Sequence, residues 1–140
     1  SLLYSLGFYK MVEKHLKPFG AMVTQSTSPL YSPEAFLCIK KTLEAAGFST
    51  LPYQNSIPSM GQWGWVLGVR QKSMPTQRLR ENLTALTFPD IATRFLNRDA
   101  MISMAHFGKG LYEQEGQIEP NTQFDHNILK YYRKGSWDLY

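Results

Sequence analysis

The chain has 140 residues, enough for one domain; 43% of them are hydrophobic and 14% aromatic, which suits a packed core and argues against disorder. The net charge of +4 comes from scattered lysines and arginines, so charge alone gives no indication of nucleic-acid binding. No apolar run reaches the roughly 18–20 residues that a membrane-spanning helix needs, and no signal-peptide pattern opens the sequence.

Residues that commonly bind metals or form disulfides are few and scattered. Cys38 is the single cysteine, which excludes an internal disulfide and a cysteine-based zinc site within the chain. His15, His106 and His126 are far apart and share no metal-type spacing. We therefore predict no metal site in these residues.

The chain opens directly into a predicted helix. Phe8, Val12 and Leu16 recur every four residues on one face of this helix, which ends at Pro18. Nothing earlier in the chain explains what the apolar face packs on, so we expect a packing partner upstream in the intact protein. A short buried strand is predicted next, at residues 21–25.

A second helix and a pair of strands follow. The helix is predicted at residues 33–46, with Ser32 as its N-cap and Gly47 as its C-cap. Strands are predicted at residues 49–55 and 63–69, joined by a tight turn. The order strand, helix, strand predicts a parallel pair with a right-handed crossover, and the tight turn predicts that the last strand runs antiparallel to the second.

These elements define an α/β fold with a mostly parallel sheet and an antiparallel terminal hairpin. Three strands and two helices are too few to cover both faces of such a sheet. We therefore interpret residues 1–70 as the C-terminal half of an α/β domain. Residues 71–140 predict a mainly helical and irregular extension packed on it. The elements expected there are a short helix at 79–86, helical turns at 91–95 and 98–104 with Asn97 as a cap, a loop at 108–124 and a last helix at 127–134.

Two stretches of the sequence are distinctive. The first is LKPFGAMVTQSTSP at residues 16–29, and the second is YQNSIPSMGQWGW at residues 53–65. Together with Leu3-Tyr4 and Phe8-Tyr9, they resemble the C-terminal half of spermidine synthases, whose fold is similar to that of class I methyltransferases. The resemblance is specific over residues 1–70 and thin after that. It implies a Rossmann-like domain and polyamine biosynthesis.

The resemblance implies an aminopropyltransferase that uses decarboxylated S-adenosylmethionine as donor and putrescine or a related amine as acceptor, without a metal. The family's cofactor loop and its proton-accepting aspartate lie upstream of the first helix, so none of the catalytic residues is expected in this chain. We expect the isolated chain to be inactive and to self-associate through the uncovered edge of its sheet. A homo-oligomeric, cytoplasmic protein without nucleic-acid partners is the further expectation.

The predicted substrate-binding residues are Gln25, Tyr53, Pro58, Ser59 and Trp63. Gln25 ends one strand, and the turn at Pro58 follows the next; in open α/β sheets, ligands bind outside the carboxyl ends of the strands. Trp63 could form an aromatic wall that packs against a polyamine's methylene groups and attracts its ammonium. The alternatives are that Gln25 bonds nearby backbone, that residues 58–61 are an ordinary hairpin turn, and that the tryptophans pack in the core.

The turn departs from the pattern of many soluble members of the family. Ser59-Met60 stand where those members carry a tyrosine in a longer turn. The shorter turn is similar to that of bacterial members with a membrane segment ahead of the enzyme domain, which implies that the intact protein could be membrane-anchored, with this part as its cytoplasmic domain.

Two other functions remain open at this point. A class I methyltransferase using ordinary S-adenosylmethionine would have the same fold, because fold does not fix chemistry. A non-catalytic binding or assembly domain could use the basic tail at residues 131–134.

Overall fold

The computed structural model describes residues 2–137. Short 3₁₀ turns at Leu2–Tyr4 and Tyr112–Gln117 accompany the regular elements of this part of the chain. Its strands are β1 (Ala21–Gln25), β2 (Phe48–Ile57) and β3 (Gly61–Arg70), and its helices are α1 (Leu6–His15), α2 (Pro33–Ala45), α3 (Thr76–Thr84), α4 (Arg98–Met104) and α5 (Asn127–Arg133).

The sheet has the order β1-β3-β2, and β3 is antiparallel to both of its neighbours. The predicted β2–β3 hairpin is confirmed. The predicted parallel pairing of the first two strands is wrong: β1 and β2 point the same way, but β3 lies between them. The tight turn places β3 beside β2 at once, and the other edge of β3 then takes up β1. As a consequence, Trp65 lies opposite both Gln25 and Tyr53 and separates them across the sheet.

The sequence predicts that the chain opens directly into helix α1. In the structure, α1 begins at Leu6, after the 3₁₀ turn at Leu2–Tyr4. The Ser5 hydroxyl accepts a hydrogen bond from the Phe8 backbone N–H at 3.2 Å, which is an N-cap interaction. The helix buries Tyr9, which is 1% exposed. Burial raises the pKa of the Tyr9 phenol above its ordinary value, so this side chain stays neutral.

Helix α2 supplies the centre of the core. Its predicted apolar face is confirmed, since Phe36, Ile39 and Leu43 are all buried. Gly47 follows the helix with φ +98°, a conformation that glycine adopts without strain. Cys38 is fully buried and its thiol donates to the Glu119 carbonyl at 3.3 Å; burial raises the pKa of this thiol to about 12, so it is unreactive at neutral pH.

The second half of the chain packs on this core through several segments. Ile118, Ile128 and Tyr131 belong to the same buried cluster as Phe36 of α2. The predicted cap of α4 is confirmed, because the Asn97 side chain accepts from the Ala100 N–H at 2.8 Å. The buried cluster includes side chains from both halves of the chain. The predicted division into two parts at residue 70 stays a prediction.

Three details of the second half differ from the sequence-based expectation. No helical turn forms at residues 91–95, where Ile91 and Phe95 are largely exposed and have no surface to pack on. Helix α3 begins earlier than predicted, at Thr76, directly after Pro75. The predicted loop at 108–124 contains the 3₁₀ turn at Tyr112–Gln117.

The outer edge of β1 pairs with no strand within the described residues, and apolar side chains beside it are exposed. Val23 on β1 and Met11 on α1 are 50% and 52% exposed. An uncovered strand edge is a surface on which another strand can add. The expectation that the isolated chain self-associates there stays a prediction. No helix in residues 2–137 has the length and apolar character needed to cross a membrane.

Gly64 on β3 permits the close packing of α2 on the sheet. A Cβ atom at this position would lie 2.5 Å from Cε2 of Phe36 and 3.0 Å from Cδ of Pro29. We expect Gly64→Ala to lower the free energy of unfolding by about 1–3 kcal/mol through overpacking. Gly7→Ala is the matched control, since a Cβ there meets nothing within 4 Å and alanine favours the helix. Urea unfolding measures the free energy of unfolding of both variants. Equal values for Gly64→Ala and Gly7→Ala would contradict the close packing at Gly64.

Candidate functional site

A cavity of about 240 Å³ opens at the carboxyl end of β1. Gln25 ends β1, Thr27 follows it in the loop, and Trp63 lies near the start of β3. Helices α2 and α5 and the chain start complete the lining with Ala35, Ile39, Ile128, Tyr132 and Tyr4. The cavity is therefore mostly apolar and aromatic, with a few polar groups from the β1 end.

Gln25 is exposed at the cavity. Its backbone carbonyl accepts from the Tyr4 hydroxyl at 3.3 Å, which ties the strand end to the start of the chain. The carboxamide itself makes no hydrogen bond to any of residues 2–137. The alternative in which this side chain braces nearby backbone therefore finds no support, and both the donor and the acceptor of the amide can meet a ligand.

The loop after β1 is more ordered than its polar sequence suggests. Ser26 and Ser28 are fully buried. The Ser26 hydroxyl donates to the Thr24 carbonyl at 3.0 Å, and the Ser28 hydroxyl accepts from the N–H of Leu30 and of Tyr31 at 3.2 and 3.1 Å. These hydroxyls fix the course of the loop. Ser32 is the N-cap of α2, as predicted, although its side chain makes no capping hydrogen bond.

Thr27, in the same loop, has an unusual backbone conformation that the sequence does not predict. Its φ of +58° makes it the one non-glycine residue with positive φ among the described residues. Its Oγ1 is buried without a hydrogen-bond partner in the described part of the chain. No signal in the sequence predicts this conformation, since β-branched residues rarely adopt it.

Trp63 lines the cavity from the opposite strand. Its indole Nε1 is also buried without a partner among residues 2–137. Its ring centroid is 6.5 Å from that of Trp137, which in turn lies 4.8 Å from that of Tyr132. Trp137 donates through Nε1 to the Tyr132 carbonyl at 2.9 Å. Trp63 and Tyr132 thus form an aromatic wall of the cavity, and Trp137 packs against both rings from outside the lining.

The other predicted site residues lie elsewhere. Tyr53 stacks on Trp65 with ring centroids 5.6 Å apart and lines a separate apolar cavity of about 190 Å³ beside α3 and α4. Burial raises the pKa of the Tyr53 phenol. Pro58 and Ser59 are exposed in the hairpin turn and do not line the cavity at Gln25. Of the five predicted residues, the structure brings Gln25 and Trp63 together.

The cavity lining carries no carboxylate and no histidine. Within residues 2–137, no group of three or more histidine, cysteine, aspartate or glutamate side chains is placed to hold a metal ion. The lining therefore offers aromatic and uncharged polar groups but no carboxylate that could accept a proton.

Comparison with known proteins identifies the family. A family model described as the spermine/spermidine synthase domain matches residues 1–81, more than half of the chain. The chain belongs to this family. The resemblance seen in the sequence motifs is thereby confirmed.

Curated relatives of the family match nearly the whole chain. Polyamine aminopropyltransferase 2 of Ralstonia nicotianae is 31% identical over 132 residues, which cover 94% of this chain and 24% of the relative. The polyamine aminopropyltransferase of Oceanobacillus iheyensis is 31% identical over 140 residues, covering 99% of this chain and 25% of the relative. The chain thus spans about a quarter of the length of these relatives.

Solved structures confirm the predicted fold class. Spermidine synthase in complex with the transition-state analogue AdoDATO superposes with a TM-score of 0.62 at 17% identity, covering 84% of this chain and 41% of that chain. Spermidine synthase from Thermotoga maritima gives a TM-score of 0.61 at 16% identity, covering 83% and 40%. The chain therefore forms part of the spermidine synthase α/β fold.

Proposed function

We propose that the intact protein transfers an aminopropyl group from decarboxylated S-adenosylmethionine to putrescine or a related amine. The observation that carries this proposal is the cavity at the end of β1. There the Gln25 carboxamide, which makes no hydrogen bond within residues 2–137, lines the same space as the rings of Trp63 and Tyr132. Membership of the spermine/spermidine synthase family and the names of the curated relatives support the same chemistry. They do not favour methyl transfer.

The lining suits a short aliphatic amine. The methylene groups would pack against Trp63 and Tyr132, and an ammonium near these rings would gain about 0.5–2 kcal/mol from cation–π attraction. The Gln25 amide oxygen would accept an N–H of the amine and so orient it. These contacts recognise both the apolar stem and the polar end of the acceptor.

The reaction itself requires a neutral amine. The nitrogen lone pair forms the new N–C bond as the C–S bond of the sulfonium breaks, and sulfur leaves with the bond's electrons as a neutral thioether. A carboxylate must accept a proton from the mostly protonated amine before its lone pair can attack. Because no carboxylate lines the cavity, we assign this step to a residue elsewhere in the intact protein.

Product analysis of the full-length protein tests the proposal. With decarboxylated S-adenosylmethionine and putrescine, mass spectrometry should show aminopropylated amine and methylthioadenosine in equal amounts. Methyl transfer from ordinary S-adenosylmethionine would instead support the methyltransferase alternative. A protein that forms neither product would support a binding or assembly role.

A further inference from the structure

Thr27 carries two unfavourable features at the same point of the cavity. Its backbone has φ +58°, which a β-branched residue adopts only under strain. Its hydroxyl is buried without a partner within residues 2–137, and a buried polar group with no hydrogen bond costs stability. Glycine at this position would remove both costs.

The surrounding contacts explain how this strained conformation is held. The Thr27 carbonyl accepts from the Gly64 N–H at 2.7 Å, and the Gly64 carbonyl accepts from the Ser26 N–H at 2.8 Å. This reciprocal pair joins the loop to β3 immediately beside Trp63. The loop therefore cannot relax at Thr27 without losing its connection to the cavity wall.

Trp63 carries the second unpartnered polar atom of the lining. Trp63 Nε1 is enclosed without an acceptor, like the Thr27 hydroxyl. Buried polar groups are normally paired, and exceptions need an explanation such as a ligand role. Two such groups lie in the lining of this cavity, and of the two the Thr27 hydroxyl is the one that can accept a hydrogen bond from an amine N–H.

We propose that Thr27 is a further substrate-positioning residue: its hydroxyl accepts a hydrogen bond from an N–H of the acceptor amine beside Gln25. This inference rests on the proposed amine-binding function of the cavity. Thr27 lines the cavity together with Gln25, so a rotation of its side chain, with the loop backbone held in place, would bring the hydroxyl to a bound amine. Serine would preserve this contact, whereas valine or glycine would abolish it.

Kinetics of the full-length enzyme with three substitutions test the role of Thr27. We expect Thr27→Val to lower kcat/KM for putrescine about tenfold, with little change in the KM of the donor. Thr27→Ser should stay within about threefold of the unmodified enzyme, because the hydroxyl remains. Thr27→Gly should raise the melting temperature by removing strain and yet lower kcat/KM for putrescine about tenfold.

Thr27→Gly decides the matter if the valine variant fails to fold. A more stable glycine variant with unchanged putrescine kinetics would overturn the inference, as would equal kinetics for the valine and serine variants. Calorimetric titration with putrescine separates this inference from the proposed reaction. If the protein forms no aminopropylated product but its putrescine affinity falls about tenfold in the glycine variant, the role of Thr27 is supported and the proposed reaction is contradicted. No putrescine binding by the unmodified protein would overturn both.

Discussion

The 140-residue chain alone should form no aminopropylated amine from decarboxylated S-adenosylmethionine and putrescine. Nothing in the cavity lining can accept the proton of the attacking amine, because the lining contains neither carboxylate nor histidine. Without a base, the acceptor stays mostly protonated at neutral pH and its lone pair cannot attack. Mass spectrometry of the reaction mixture would measure the product directly.

The full-length protein, assayed at the same molar concentration, is the matched control. Circular dichroism of the isolated chain should be recorded alongside, so that an unfolded sample is not mistaken for an inactive one. Product formed by the folded, isolated chain would contradict the assignment of the proton acceptor to another part of the intact protein.

Replacing Gln25 by alanine in the full-length enzyme should lower kcat/KM for the amine by roughly ten- to a hundredfold. The carboxamide lines the cavity and makes no hydrogen bond within the described residues, so its loss removes a contact to the acceptor and little else. A hydrogen bond to a charged group contributes about 1.5–3 kcal/mol, which sets the expected size of the effect. The KM of the donor should barely change.

Gln71→Ala is the matched control for this substitution. Gln71 is exposed in the turn after β3 and does not line the cavity, so its loss should leave the kinetics unchanged. If Gln25 merely braced the loop, Gln25→Ala would lower the melting temperature and affect both substrates alike. Unchanged amine kinetics in a stably folded Gln25→Ala variant would remove this residue from the site.

Local sequence patterns were sufficient to predict most individual elements. Helix α2 follows from its buried apolar repeat and Gly47, and α4 follows from its Asn97 cap. The order of the strands could not be predicted in the same way. The hairpin offers one free edge on β2 and one on β3, and the choice of β3 as the neighbour of β1 depends on tertiary packing that local patterns do not encode.

The same limit applies to the candidate site. Gln25 could be predicted because it ends a strand, and Trp63 because it follows the hairpin turn. Tyr53 lies away from the cavity at Gln25 because the inserted strand puts Trp65 between them, and its role in substrate binding stays a prediction. Thr27 and Trp137 were missed for different reasons: a positive φ is not expected of threonine, and the position of the tail depends on long-range packing.

A crystal structure of the full-length protein with bound putrescine would show which cavity holds the amine. We predict electron density for the amine in the cavity at the end of β1, in contact with Gln25, Thr27 and Trp63. Density in the apolar cavity beside Tyr53, with the cavity at Gln25 empty, would show that the acceptor amine does not bind at the end of β1.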